Sequence, residues 1–104
     1  MIKPEIFDII ELLVNLPEHN QFIGNQGTIV EDFEDGQYEV EFANEQGETL
    51  ALCTLSTEQF IVVWQGQTKK WVSVSEKLTA IIHYLPESKK QEVLNFARFL
   101  HQLT

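Results

Sequence analysis

Residues 24–42 constrain this chain more than any other stretch. They read Gly-Asn-Gln-Gly-Thr-Ile-Val, then an acidic segment Glu31 to Gln37, then Tyr-Glu-Val-Glu-Phe. Gly24 and Gly27 supply candidate positive-φ positions for a tight turn, and the β-rich runs Thr28 to Val30 and Tyr38 to Phe42 flank an Asp35-Gly36 turn, so the spacing predicts a β-hairpin. Within the second run, Tyr38, Val40 and Phe42 fall on one face and Glu39 and Glu41 on the other. One side is therefore core and the other charged.

The rest of the chain follows the same grammar. Phe7 to Leu13 suits a first strand, although Ile6, Ile9, Ile10, Leu13 and Val14 also fit a helical period. Asn15 to Asn20, with Pro17, is turn-rich. Strands are expected at about Gly27 to Asp32, Gln37 to Phe42, Glu48 to Thr54 and Phe60 to Trp64, with turns at Asn44 to Gly47 and Leu55 to Gln59. Both faces of Glu48 to Thr54 are fairly apolar, which suggests a strand covered on both sides. Five short antiparallel strands joined by tight turns predict a small closed barrel, the arrangement that removes exposed edges. Trp71-Val72 is a candidate sixth strand paired with Ile61 to Trp64.

Beyond the strands the period changes. Ser73-x-x-Glu76 is a capping box that opens a helix near residue 74, with Val74, Leu78, Ile81, Ile82 and Leu85 on one face. Pro86 ends it and starts a second helix running to about Leu103. On that helix Val93, Leu94, Phe96, Ala97, Phe99, Leu100 and Leu103 spread over roughly 220°, wider than one neighbouring helix covers. The expected organisation is an acidic barrel at 1–64, a linker or short strand at 65–72, and a helical hairpin at 73–104.

Charge is segregated along the chain. Of a net −9, residues 1–64 hold thirteen carboxylates against Lys3 alone, whereas residues 65–104 hold six cations and three carboxylates. An acidic body of that density repels phosphate and attracts a basic partner. No apolar run approaches the length of a membrane span, and no signal-peptide pattern opens the chain, so a cytoplasmic protein is expected with no membrane partner. The single Cys53 fits a reducing compartment.

No constellation for catalysis assembles. His19, His83 and His101 lie in a loop and on two helices without metal-ligand spacing, Cys53 reads as a buried thiol, and neither a metal nor a cofactor is expected. The run Glu31 to Gly36 misses the calcium-loop pattern, and Glu39 and Glu41 would act as acid and base only inside a cleft. The expectation is a protein that is not an enzyme.

Two family resemblances add to this. Phe7 to Leu13, Leu16-Pro17-Glu18, Gly24-x-x-Gly27-Thr-Ile-Val30, Tyr38 to Phe42 and Gly47-Glu-Thr resemble the bacterial domain of unknown function 4926. That likeness implies an SH3-like barrel in small acidic proteins without assigned chemistry, some of them discussed as antitoxin-like partners. Leu85 to Leu100 resembles domain of unknown function 2281, short helical segments associated with toxin-antitoxin loci. No basic β-type DNA-binding arm is visible here.

The resulting expectation is a protein-protein interaction module. Glu31, Glu34, Asp35, Glu39, Glu41 and Glu48 would meet a basic partner such as a ribonuclease toxin. Phe96, Phe99 and Leu103 would anchor that partner or pair with a second copy, giving a homo-oligomer through the C-terminal helix. The alternatives are a homodimeric structural domain, or a nucleic-acid-binding module built on Trp64, Trp71, Lys69 and Lys70. Nucleic acid is the lesser reading because the acidic body opposes it, and the blander role for these residues is tryptophans packed at a junction with lysines paired to barrel carboxylates.

Overall fold

The computed structural model describes residues 1–103; Thr104, the last residue of the expected helical hairpin, lies outside them. Six antiparallel strands form one sheet: β1 Ile9–Leu12, β2 Gln26–Asp32, β3 Gln37–Ala43, β4 Thr49–Ser56, β5 Phe60–Gln65 and β6 Lys70–Trp71. Two helices follow, α1 Val74–His83 and α2 Glu87–Gln102. Strand order is β4-β3-β2-β1-β5-β6.

Alternation along β3 decides which face is buried. Tyr38, Val40 and Phe42 point inward and join Ile10, Leu12, Ile29, Cys53, Leu55, Phe60 and Val62 in one cluster. Each such side chain, once buried, contributes about 1.5–3 kcal/mol of transfer free energy. Tyr38 meets Phe60 edge to face, with ring centroids 5.9 Å apart.

Gly24 takes φ +92°, as a turn glycine can, but Gly27 does not have a positive φ. Its role is close approach. A Cβ there would lie 2.7 Å from Val40 Cγ1, 2.9 Å from the Glu41 carbonyl oxygen and 2.9 Å from Phe42 Cε1. β2 can lie over the large β3 side chains because it carries no side chain at that point.

Three expectations are corrected. The sheet has six strands rather than five and is open, since β4 and β6 are its two edges. β6 is two residues long and is held by β5, after which the chain caps α1, so it is too short to span back to β4. The first strand begins at Ile9 rather than Phe7: the Phe7 amide still donates to the Ile29 carbonyl at 2.8 Å, but its φ of +76° breaks the extended run ahead of Asp8. β4 is covered on one face only: Cys53 and Leu55 are buried, while Leu50 and Leu52 are exposed. The helices leave β4 bare, because α1 packs against β5 at the other side of the sheet.

The caps follow the residues read from the sequence. The Glu76 amide donates to Ser73 Oγ at 3.1 Å, opening α1 at Val74. Pro86 sits at the N-cap of α2. The apolar arc of α1 is only partly used, with Ile81, Ile82 and Leu85 half-buried and Val74 and Leu78 exposed. The Thr57 and Tyr84 hydroxyls share a hydrogen bond of 2.8 Å that ties the end of α1 to the turn before β5. α2 buries none of its residues.

One buried carboxylate fixes the end of the sheet from which β1 starts. Asp8 accepts from the Glu5 amide through Oδ2 and from the Gly66 amide through Oδ1, both at 2.9 Å. It thereby joins the N-terminal segment to the β5–β6 turn across 58 residues of sequence.

The close approach at Gly27 sets a prediction. Gly27→Ala is expected to lower stability by about 1–3 kcal/mol, because the new methyl meets backbone and packed side chains that cannot retreat. Urea unfolding followed by tryptophan fluorescence measures it as a lower midpoint at unchanged slope.

Candidate functional site

The outward face of the sheet carries what is chemically distinctive. Register places Leu52 of β4, Glu41 of β3, Thr28 of β2, Ile9 of β1, Trp64 of β5 and Trp71 of β6 in one row across all six strands. Six strands at about 4.8 Å spacing make that row roughly 24 Å long. Its two ends are the most open, Leu52 being 52% and Trp71 69% exposed. Trp64 and Trp71 meet edge to face, with centroids 6.5 Å apart.

Beside this row lies a second. Thr54, Glu39 and Glu31 are neighbours on β4, β3 and β2, and Glu31 stands directly opposite Glu39. A break in the β2–β3 register between Ile29 and Glu31 creates that pairing by letting Glu31 share the face of Glu39. Like charges directly opposed on a sheet destabilise it. Glu41 is partly engaged, accepting a hydrogen bond from Thr49 Oγ1. Among the described residues no lysine or arginine pairs with a carboxylate of the sheet; Lys90 pairs with Glu87 on its own helix at 3.8 Å.

The six acidic residues expected from the sequence divide accordingly. Glu31, Glu39 and Glu41 gather on the outward face. Glu34 and Asp35 sit in the β2–β3 turn, where the Asp32 and Asp35 side chains accept from the Glu34 and Gln37 amides at 2.8 and 3.0 Å. Glu48 lies in the β3–β4 turn at the other end of β3 and accepts from Asn44 Nδ2 at 3.1 Å. Seven residues of strand separate those two turns, about 23 Å. Phe96 and Phe99 on α2 and Leu103 at its C-cap are exposed. The tryptophan row and the bare leucines of β4 were not expected as part of an acidic surface. Neither shows in local pattern, because both depend on which strands lie at the edges.

Other candidate groups are separated. Among the described residues no three His, Cys, Asp or Glu side chains are grouped to hold a metal ion. His83 packs edge-on to Tyr84, with centroids 4.8 Å apart. Burial pushes the Cys53 thiol up, with Glu18 adding to the effect, and burial, with Asp32 and then Tyr84 adding, pushes the Tyr38 phenol up. Cys53 is thus held as the thiol, the weaker nucleophile. A shallow depression of about 190 Å³ lined by Ile9, Gln26, Gly27, Thr28, Glu41 and Ala43 marks the middle of the outward face. No helix among the described residues is long and apolar enough to cross a membrane.

Comparison with known proteins gives two matches in chain order. A family described as "Domain of unknown function (DUF4926)" matches residues 6–62, and one described as "Protein of unknown function (DUF2281)" matches residues 77–103. No curated protein and no solved structure matches the chain. The first match ends inside β5 and the second begins within α1, so the end of β5, β6 and the first turn of α1 lie between them.

The raised positions of Cys53 and Tyr38 have a pH consequence. Both groups hold their protons more tightly folded than unfolded, so their contribution to stability is complete below the unfolded values and is lost as pH rises through the folded ones. Urea midpoints are expected to hold through neutral pH and fall above about pH 9, where a free thiol and then a free phenol ionise. Cys53→Ala should flatten the earlier part of that fall.

Proposed function

We propose that this chain, which belongs to the DUF4926 family, is a non-enzymatic protein-protein interaction module that docks a basic partner on the outward face of an SH3-like, open sheet. Its sharpest form is antitoxin-like: the acidic face occludes the cationic, RNA-binding surface of a ribonuclease. The observation that carries this reading is the directly opposed pair Glu31 and Glu39, with Glu41 on the same face and, among the described residues, no lysine or arginine paired to them.

Opposing two carboxylates costs a few tenths of a kcal/mol to about 1 kcal/mol. A sheet needs no such pair to fold, and a lysine at either position would relieve it. A cationic partner recovers the cost on binding, and its approach is accelerated by the field of the acidic body. The flanking row supplies what charge alone does not. Leu52 and Ile9 offer apolar area, and Trp64 and Trp71 offer the aromatic surface that concentrates binding energy at interfaces.

A specific observation supports a second reading. Trp71 is exposed rather than packed at a junction, and Lys69 and Lys70 beside it are exposed and unpaired with any carboxylate of the sheet. Exposed aromatic and basic side chains together are the elements of a single-strand nucleic-acid platform. The acidic rows on the same face oppose it.

Two measurements separate these readings. Glu39→Lys is expected to raise stability by about 0.5 kcal/mol and at the same time to weaken capture of the product of a neighbouring gene on co-expression, with binding of the parent chain falling as salt rises. No complex with the parent chain, and no relief of toxicity, would remove the antitoxin form. Reversal of Lys69 and Lys70 to Glu is expected to leave that complex intact; a low-salt shift of single-stranded RNA or DNA that this double change abolishes would favour the nucleic-acid reading instead.

A further inference from the structure

We infer that α2 is the pairing surface between two copies of this chain, forming a two-fold dimer that holds the acidic sheets apart. Val93, Phe96, Leu100 and Leu103 recur at intervals of three and four residues, the seam spacing of a helix that packs on another helix. Phe99 lies beside the seam, with its ring 6.2 Å from that of Phe96. The seam is bare: Phe96 is 61%, Phe99 51% and Leu103 68% exposed. The chain's own sheet is served by α1, which packs against β5.

Area and charge both select a second copy as the occupant. Aromatic side chains present about 150–250 Å² each, so the exposed fractions of two phenylalanines and the leucines leave on the order of 400–500 Å² of apolar surface. Two such stripes removed from water together amount to about 800–1,000 Å², which with the flanking side chains reaches the lower range of specific interfaces. Charge then decides which ends meet. Two chains of net −9 repel chiefly through residues 1–64, which hold thirteen of the sixteen carboxylates. α2 itself carries Lys89, Lys90 and Arg98 against Glu87 and Glu92, so it is the part of the surface where a second copy approaches at least cost. A two-fold axis through this helix makes the contact self-complementary and closed. The inference stands apart from the docking role proposed for the sheet, whose outward face is free in such a pair.

Sedimentation equilibrium of the whole chain across micromolar concentrations tests it. The parent chain is expected to shift from monomer to dimer with concentration and to stop at the dimer. Phe96→Asp and Phe99→Asp are each expected to weaken the dimer at least tenfold. Both positions are exposed, so the circular dichroism and urea midpoint of the sheet should be retained, which separates lost pairing from lost folding. Arg98→Asp, on the opposite side of the helix from the seam, should leave the dimer in place. A monomer at every concentration, an open-ended assembly, or a dimer indifferent to both phenylalanine changes overturns the inference. So would a parent chain that stays monomeric yet binds lipid vesicles through Phe96 and Phe99, which would make the stripe a membrane contact.

Discussion

The sheet holds together because β2 brings bare backbone to Gly27, where Val40, Phe42 and the carbonyl of Glu41 come within 3 Å of the place a Cβ would occupy. That contact seats β3, and β3 contributes Tyr38, Val40 and Phe42 to the core. Once those three point inward, Glu39 and Glu41 must point outward, because successive strand residues alternate. The surface chemistry of the molecule is therefore a by-product of its packing. The register shift after Ile29 completes it by turning Glu31 to face Glu39.

The two halves of the chain solve different problems. The sheet has an inward face that its own strands fill, and an outward face of carboxylates, leucine and tryptophan that is most exposed at its two margins, Leu52 and Trp71. The helices add little to that core: α1 leans on β5, and α2 has more apolar surface than anything in the chain conceals. The match of the two segments to two different families parallels this division.

Much of the fold is legible from local pattern. The 2-residue alternation of β3, the turn chemistry of Asp35-Gly36 and Asn44 to Gly47, Ser73 as a cap and Pro86 as a boundary each act within a few residues, and each is found where the pattern puts it. Closure of the sheet is not of that kind. It depends on whether the last strand reaches the fourth, and β6 stops after two residues. For the same reason the exposure of Leu50 and Leu52 was hidden, since an apolar strand reads alike at an edge and in the middle. Asp8 lies inside an apolar run and looks out of place until its amide partners, Glu5 and Gly66, are seen. Of the acidic site, Glu31, Glu39 and Glu41 assemble as strand neighbours. Glu34, Asp35 and Glu48 do not join them, because they belong to turns at opposite ends of a strand.

An open sheet leaves β4 with a single neighbour along eight residues. On its far side no strand among the described residues pairs with it, and two exposed leucines lie alongside, the kind of margin onto which another extended chain can be added. Glu39 and Glu41 on β3 and Glu45 and Glu48 in the β3–β4 turn give that margin the same charge in every copy, which disfavours edge-to-edge pairing of identical chains.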